Sequence, residues 1–279
     1  MRRLAAWRET QVRHGAARAY PYAWRLPEAA RGLGRAASSR AHIALGLTLF
    51  QLGRYGAALD ALAQASDDGD GQAATCTLLL TATRAACLHA LGAHAQADAL
   101  AASPPLRATT PQASIVRVAL AFLRDVPGDV PAGTDSAPID PAAQEPAAMA
   151  EACTAIGRYW AAARADGHDA WASARSALAL LDRRLPVAGA LAEAALAEAL
   201  WRIRPAAATV WLDEALRQCA RYGQHHLQAR LMARKAQSLL ADGQLAEARR
   251  FERLAGTLAQ RQGMAGQSWL PSPAGAPSG

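Results

Sequence analysis

The groups in this 279-residue chain with the most chemical potential are four thiols, seven imidazoles and seven indoles. Cys76, Cys87, Cys153 and Cys219 include no pair at the spacing of a metal knuckle or a redox motif. A chain of this length does not need a disulfide framework, so they read as free thiols in a reducing compartment. Cys87 and His89 lie two residues apart, which on a helix sends them to different faces. Cys87 therefore reads as a small buried thiol, not an activated nucleophile. No Gly-x-Ser-x-Gly elbow is present. His225 and His226 are adjacent and diverge in the same way. His89 and His94 flank a turn and could converge with an acid, but they match no standard metal site. The stretch GLGRAAS at 32–38 sets glycines before a helix, where amides could meet an anion. It lacks the Gly-Lys-Ser/Thr ending and a preceding strand, so it reads as a linker. No cofactor or metal is expected. Trp160, Trp171, Trp201 and Trp211 could stack a base or ring. Their plainer role is to fill gaps in an alanine-rich helical stack.

The composition says which elements must position these groups. Apolar residues make up 52% and aromatics only 5%, and alanine is roughly a quarter of the chain. Alanine is the best helix former and β-branched residues are sparse, so the expected fold class is all-α. No window is long and apolar enough for a membrane span. The start, MRRLAAWRET, has no apolar stretch behind it and does not read as a secretory signal. Residues 1–40 are arginine-rich and acid-poor, so a mitochondrial-type presequence is the weaker reading and a cytoplasmic protein the stronger. Those residues hold nine arginines against Glu9 and Glu28, which accounts for the whole net charge of +7. Arginine use throughout, with Lys235 the sole lysine, fits codon bias.

Glycines mark a period. Gly53 ends AHIALGLTLFQL, Gly92 ends TLLLTATRAACLHAL, Gly167 follows WAAARAD and Gly243 follows KAQSLLAD. With Gly128 and Pro205 filling the two wide gaps, turns fall at 53, 92, 128, 167, 205 and 243. A fixed period with one turn per unit predicts stacked helical hairpins, each too apolar to stand alone.

The small residues of these units resemble the tetratricopeptide repeat. Gly46 precedes Gly53, Tyr55 follows it, and Ala58 and Ala65 lie on the second helix. The pattern returns as Ala85, Gly92 and Ala97, and as Ala236, Gly243, Ala248 and Ala255. The fourth unit keeps Gly167 and Ala172 but has Trp160 at a small-residue position, and the fifth matches weakly. The third loses its second helix to VPGDVPAGTDSAPIDPAAQEP, whose prolines and glycines forbid a regular helix. The long period is similar to repeat regions of bacterial signalling and transcriptional regulators. The resemblance implies a right-handed superhelical solenoid of about six antiparallel helix pairs. The expected organisation is a basic helical cap over 1–38, repeats over 39–125, a Pro/Gly-rich loop or joint over 126–146, repeats over 147–262, and a disordered tail over 263–279. The cap is expected to break around YPYAWRLPE.

The resemblance also implies a concave groove, lined by first helices, for a peptide or helix of a partner protein. Carried over by spacing, its residues are Ile43, Leu47, Phe50, Ala82, Ala86, His89, Val118, Phe122, Arg164, Arg202, Arg230 and Gln237. The first half is apolar and the second offers arginine forks, which suit a carboxylate or phosphate. The expected function is a non-catalytic scaffold or regulatory adaptor. An alternative is a nucleic-acid-associated regulator using the basic arm, where Trp7, Tyr20, Tyr22 and Trp24 sit among arginines. A second alternative is an enzyme whose catalytic groups converge from distant positions.

Overall fold

A computed structural model describes residues 2–65, 73–107, 120, 186–265 and 267. These residues contain eleven α-helices and one 3₁₀ turn and no strand. The helices are α1 (Arg2–His14), α2 (Ala16–Ala30), α3 (Arg35–Gln51), α4 (Tyr55–Ala63), α5 (Ala73–Ala90), α6 (His94–Ala101) and the single turn α7 (Pro104–Arg107). They continue as α8 (Pro186–Ile203), a 3₁₀ turn (Pro205–Ala208), α9 (Thr209–Arg221), α10 (His225–Ala241) and α11 (Leu245–Arg261). The expectations for the third and fourth units, the 126–146 joint, Cys153, Trp160, Trp171, Val118, Phe122 and Arg164 fall outside the described residues, as does most of the tail.

Successive helices pack on one another, and the reason is local. At Gly53 the chain turns with φ +72°, the Gly53 amide donates to the Phe50 carbonyl at 2.8 Å, and the Arg54 amide donates to Leu49 at 2.9 Å. This pair of bonds satisfies carbonyls that the helix end would otherwise orphan, and it needs a left-handed residue that glycine supplies cheaply. The same two bonds recur at Gly92, Gly223, Gly243 and Gly263. Glycines 223, 243 and 263 are spaced by one helix plus its turn, a finer beat than the hairpin period. At the remaining position α8 ends at Ile203 and Pro205 opens the 3₁₀ turn. Ser238 of α10 donates its hydroxyl to the Pro205 carbonyl and ties that turn down.

Small residues set how closely the helices cross. A Cβ on Gly46 would lie 2.5 Å from Leu62 Cγ and 3.3 Å from the Ala58 carbonyl, so α3 and α4 meet at this glycine. Ala58, Ala85, Ala97, Ala236, Ala248 and Ala255 are fully buried. Each brings two helices together without leaving a gap.

The N-terminal segment corrects one expectation. The break comes at Gly15, and α2 runs straight through YPYAWRLPE with Pro21 and Pro27 inside it. Interior proline normally stops a helix because it removes a hydrogen bond and crowds the preceding turn. Here α2 is held by packing against both α1 and α3. Ala16, Ala19, Ala23, Leu26 and Ala30 form its buried stripe, and Pro21 faces solvent. Tertiary packing outweighs the local preference. Gly15 takes φ +82°, and a Cβ there would sit 1.9 Å from the Tyr222 carbonyl oxygen. The Ala16 amide donates to that same carbonyl at 3.1 Å. The first turn of the chain is thereby fixed to the α9–α10 turn.

Candidate partner-binding face

Several of the expected groove residues lie against other parts of the chain itself. Helix α10 brings His226 against Phe50, with ring centroids 4.7 Å apart, and Tyr55 also packs on Phe50, at 5.9 Å. The Tyr55 hydroxyl donates to the His226 carbonyl at 3.4 Å. The His226 Nδ1 lies 3.3 Å from the Gln51 carbonyl, which can only accept, so Nδ1 carries the proton. The residues after α11 extend the seam. Gln262 Nε2 donates to the His225 carbonyl at 2.9 Å, the Ala265 amide to Ala90 at 3.0 Å, and Gln267 Nε2 to His89 at 2.7 Å. What space remains between Phe50, Tyr55, His89, His226, Arg230 and Gln267 is about 20 Å³, room for a single water.

The expected groove residues divide accordingly. Phe50, His89 and Arg230 do come together, but around this small cavity. Ile43 is buried against Leu62 and Leu80, and Leu47 is half-buried on the core. Ala82 and Ala86 are buried. Arg202 is half-buried on α8, and Gln237 accepts from Arg234 Nη1 at 3.1 Å. Phe122 and Arg164 lie outside the described residues. Phe50→Ala would therefore open a core cavity, at about 3–5 kcal/mol, before it reported on any partner.

The arginines of the second half also serve the chain. Arg230 donates to the carboxylate of Glu198, whose side chain is 0% exposed, and Arg234 Nε stands 3.9 Å from the same oxygen. Arg234 lies over the Trp201 ring at 4.0 Å. Lys235 pairs with Asp213 and lies 4.1 Å over the Phe251 ring. Of the arginines expected to line the groove, Arg230 binds a carboxylate that α8 supplies. Glu198 sits in AEAALAEALW, where a glutamate among alanines looks like a solvated helix face. Its one signal is Leu196 and Ala199 at either side of it, both fully buried.

Other chemically able groups are quiet. Burial pushes the Cys87 thiol up, and burial together with the Glu193 charge pushes Cys219 up to about 12. Both are buried thiols that stay protonated and inert. Cys76 is half-buried. His89 and His94 do converge across the Gly92 turn, with Nδ1 atoms 3.2 Å apart. No third metal-binding side chain joins them among the described residues.

Burial lowers the His226 pKa to about 4 from 6.5, with the charge on His225 pushing the same way and the Gln51 hydrogen bond opposing. The unfolded chain takes up this proton near pH 6.5 and the folded chain only near 4. Between those values the unfolded state binds more protons, so stability falls as pH falls. The urea midpoint is expected to drop across that window by an amount worth about 1–3 kcal/mol. His226→Asn should flatten that slope, and an unchanged slope in the variant would place the titration elsewhere.

The outward face of α2 is different. Trp24 is 62% exposed and Tyr22 48% exposed, with Arg18 and Arg25 in solvent beside them. Tyr20 stands 6.1 Å from Trp24, and the Arg54 guanidinium lies 5.2 Å over the Tyr20 ring. Trp7 and Tyr20 are half-buried against the core, and Trp7 donates its Nε1 to Thr48 Oγ1 at 3.0 Å. Comparison of the sequence with protein-family models matched none, and searches of curated proteins and of solved structures returned no match.

Proposed function

We propose that the chain is a non-catalytic interaction scaffold, a regulatory adaptor of cytoplasmic, bacterial type built from tetratricopeptide-like hairpins, which holds a segment of a partner protein. The observation that carries the reading is the outward face of α2, with Trp24 at 62% and Tyr22 at 48% exposure. Large aromatics held in water mark interaction surfaces, and Trp, Tyr and Arg are the residue types that dominate binding energy. The inner face, with Phe50 and Arg230 already partnered inside the chain, leaves this role to α2.

A second reading uses the same face. Arg18 and Arg25 beside an exposed indole suit a single-stranded nucleic acid, with the cations on phosphates and the ring under a base. Capture from a native lysate, run with and without nuclease, separates the two. Retention of one defined protein after nuclease supports the adaptor. Loss of all captured material on nuclease, with affinity falling steeply as salt rises, assigns the face to nucleic acid.

A further inference from the structure

Helix α11 closes at Gly263, but the chain does not leave the fold there. The next residues run back over the ends of other helices as a short strap. Gln262 Nε2 donates to the His225 carbonyl, the Ala265 amide to the Ala90 carbonyl and Gln267 Nε2 to the His89 carbonyl. Residues 89 and 90 belong to the last turn of α5, where carbonyls lack partners within the helix. Gly92 leaves room for the strap, since a Cβ there would lie 3.1 Å from the Ala265 Cβ. In the middle stands Met264. It packs on the cluster of Phe50, Tyr55 and Ala86 and on the alanine cluster of α10 and α11, the one residue common to both among the described residues. Its sulfur stands 4.0 Å from the Tyr55 hydroxyl, and it borders the cavity that holds a single water. An unbranched thioether suits this seat because it bends to fill an irregular gap. Met264 is half-buried, and Gly263 and Ala265 on either side of it are exposed, so small solutes reach the strap from water.

We infer that Met264 is an oxidation site, and that its conversion to the sulfoxide by a peroxide unfastens the strap from α5. With hydrogen peroxide, one oxygen atom passes to the sulfur: an S–O bond forms, the O–O bond breaks and water leaves. Sulfur loses two electrons and the peroxide gains them. The product sets a polar group where an apolar one lay between two clusters. The nearby Tyr55 hydroxyl has one proton, which it gives to the His226 carbonyl. Using that proton for the sulfoxide takes it from His226, and leaving the sulfoxide without a donor buries an unpaired polar group. Both outcomes weaken the contact that Met264 makes. Met232 differs, since it sits half-buried in the middle of α10 and its backbone is held by that helix. Nothing in the inference involves α2, so it stands or falls apart from the adaptor reading.

The test is amide hydrogen exchange of the full chain before and after hydrogen peroxide, with oxidised methionines located by mass spectrometry. Met264 is expected to take up oxygen, and the Ala265 amide to exchange at least tenfold faster once it has. Methionine sulfoxide reductases should restore the original rate. Met264→Leu, which keeps an apolar contact without the sulfur, should hold its untreated rate through the same peroxide dose. If that variant does not fold, Met232→Leu answers the same question, because its Ala265 rate should still rise on oxidation. Met264 left unoxidised at a dose that converts free methionine overturns the inference. So does an unchanged Ala265 rate in the oxidised protein, or an equal rise in treated Met264→Leu, or no rise in treated Met232→Leu.

Discussion

Replacing Glu198 with alanine is expected to lower stability by about 3–5 kcal/mol, read as a fall in the urea midpoint. The carboxylate is 0% exposed and serves two arginines that are themselves 4% and 6% exposed. Without it, two nearly buried guanidinium groups lose the anion they share. Arginine stays charged at any accessible pH, so the pair cannot escape by losing a proton. The cost arises from breaking the set, not from the net worth of the ion pair. Replacing all three, as Glu198→Leu with Arg230→Met and Arg234→Leu, should therefore recover much of the loss. A Glu198→Ala protein within about 1 kcal/mol of wild type would mean that these arginines find solvent or another acceptor.

The second large effect is expected at Gly15. Its backbone, at φ 82° and ψ −179°, is a conformation open to glycine and to almost nothing else. A Cβ there would also overlap the Tyr222 carbonyl oxygen at 1.9 Å. Gly15→Ala should cost about 3 kcal/mol or more, strain and overlap acting together. Gly32 is the control, since it has φ +81° and a methyl group there would meet nothing within 4 Å. Gly32→Ala should show the strain alone, about 1 kcal/mol. Equal losses at the two sites would mean that the α1–α2 turn does not touch the α9–α10 turn.

The helices and most of their ends are legible in the sequence because their causes are local. Gly53, Gly92 and Gly243 close helices through bonds to residues at most five positions back, so the signal and its cause share one short stretch. Gly223 and Gly263 carry the same signal at the spacing of a single helix, which a hairpin period skips. The path through Pro21 and Pro27 is not legible, since it depends on α1 and α3 packing against α2. The packing of Phe50, His89 and Arg230 within the chain has the same physical reason on a larger scale. The repeat resemblance implies that Phe50, His89 and Arg230 share a side, and the three line one small cavity. Whether that side stays open depends on contacts between residues 171 to 178 positions apart, such as Tyr55 with His226 and His89 with Gln267. Glu198 belongs to the same class, because its partners lie 32 or more positions away and its neighbours in sequence are alanines and leucines.

The most direct test of the adaptor reading is capture from nuclease-treated lysate by Tyr22→Ala/Trp24→Ala, run beside wild type. Both residues are exposed, so the variant should keep wild-type helicity and stay within about 0.5 kcal/mol per site of wild-type stability. Loss of the captured protein by tenfold or more is the expected result. Undiminished capture by this folded variant would contradict a docking role for α2.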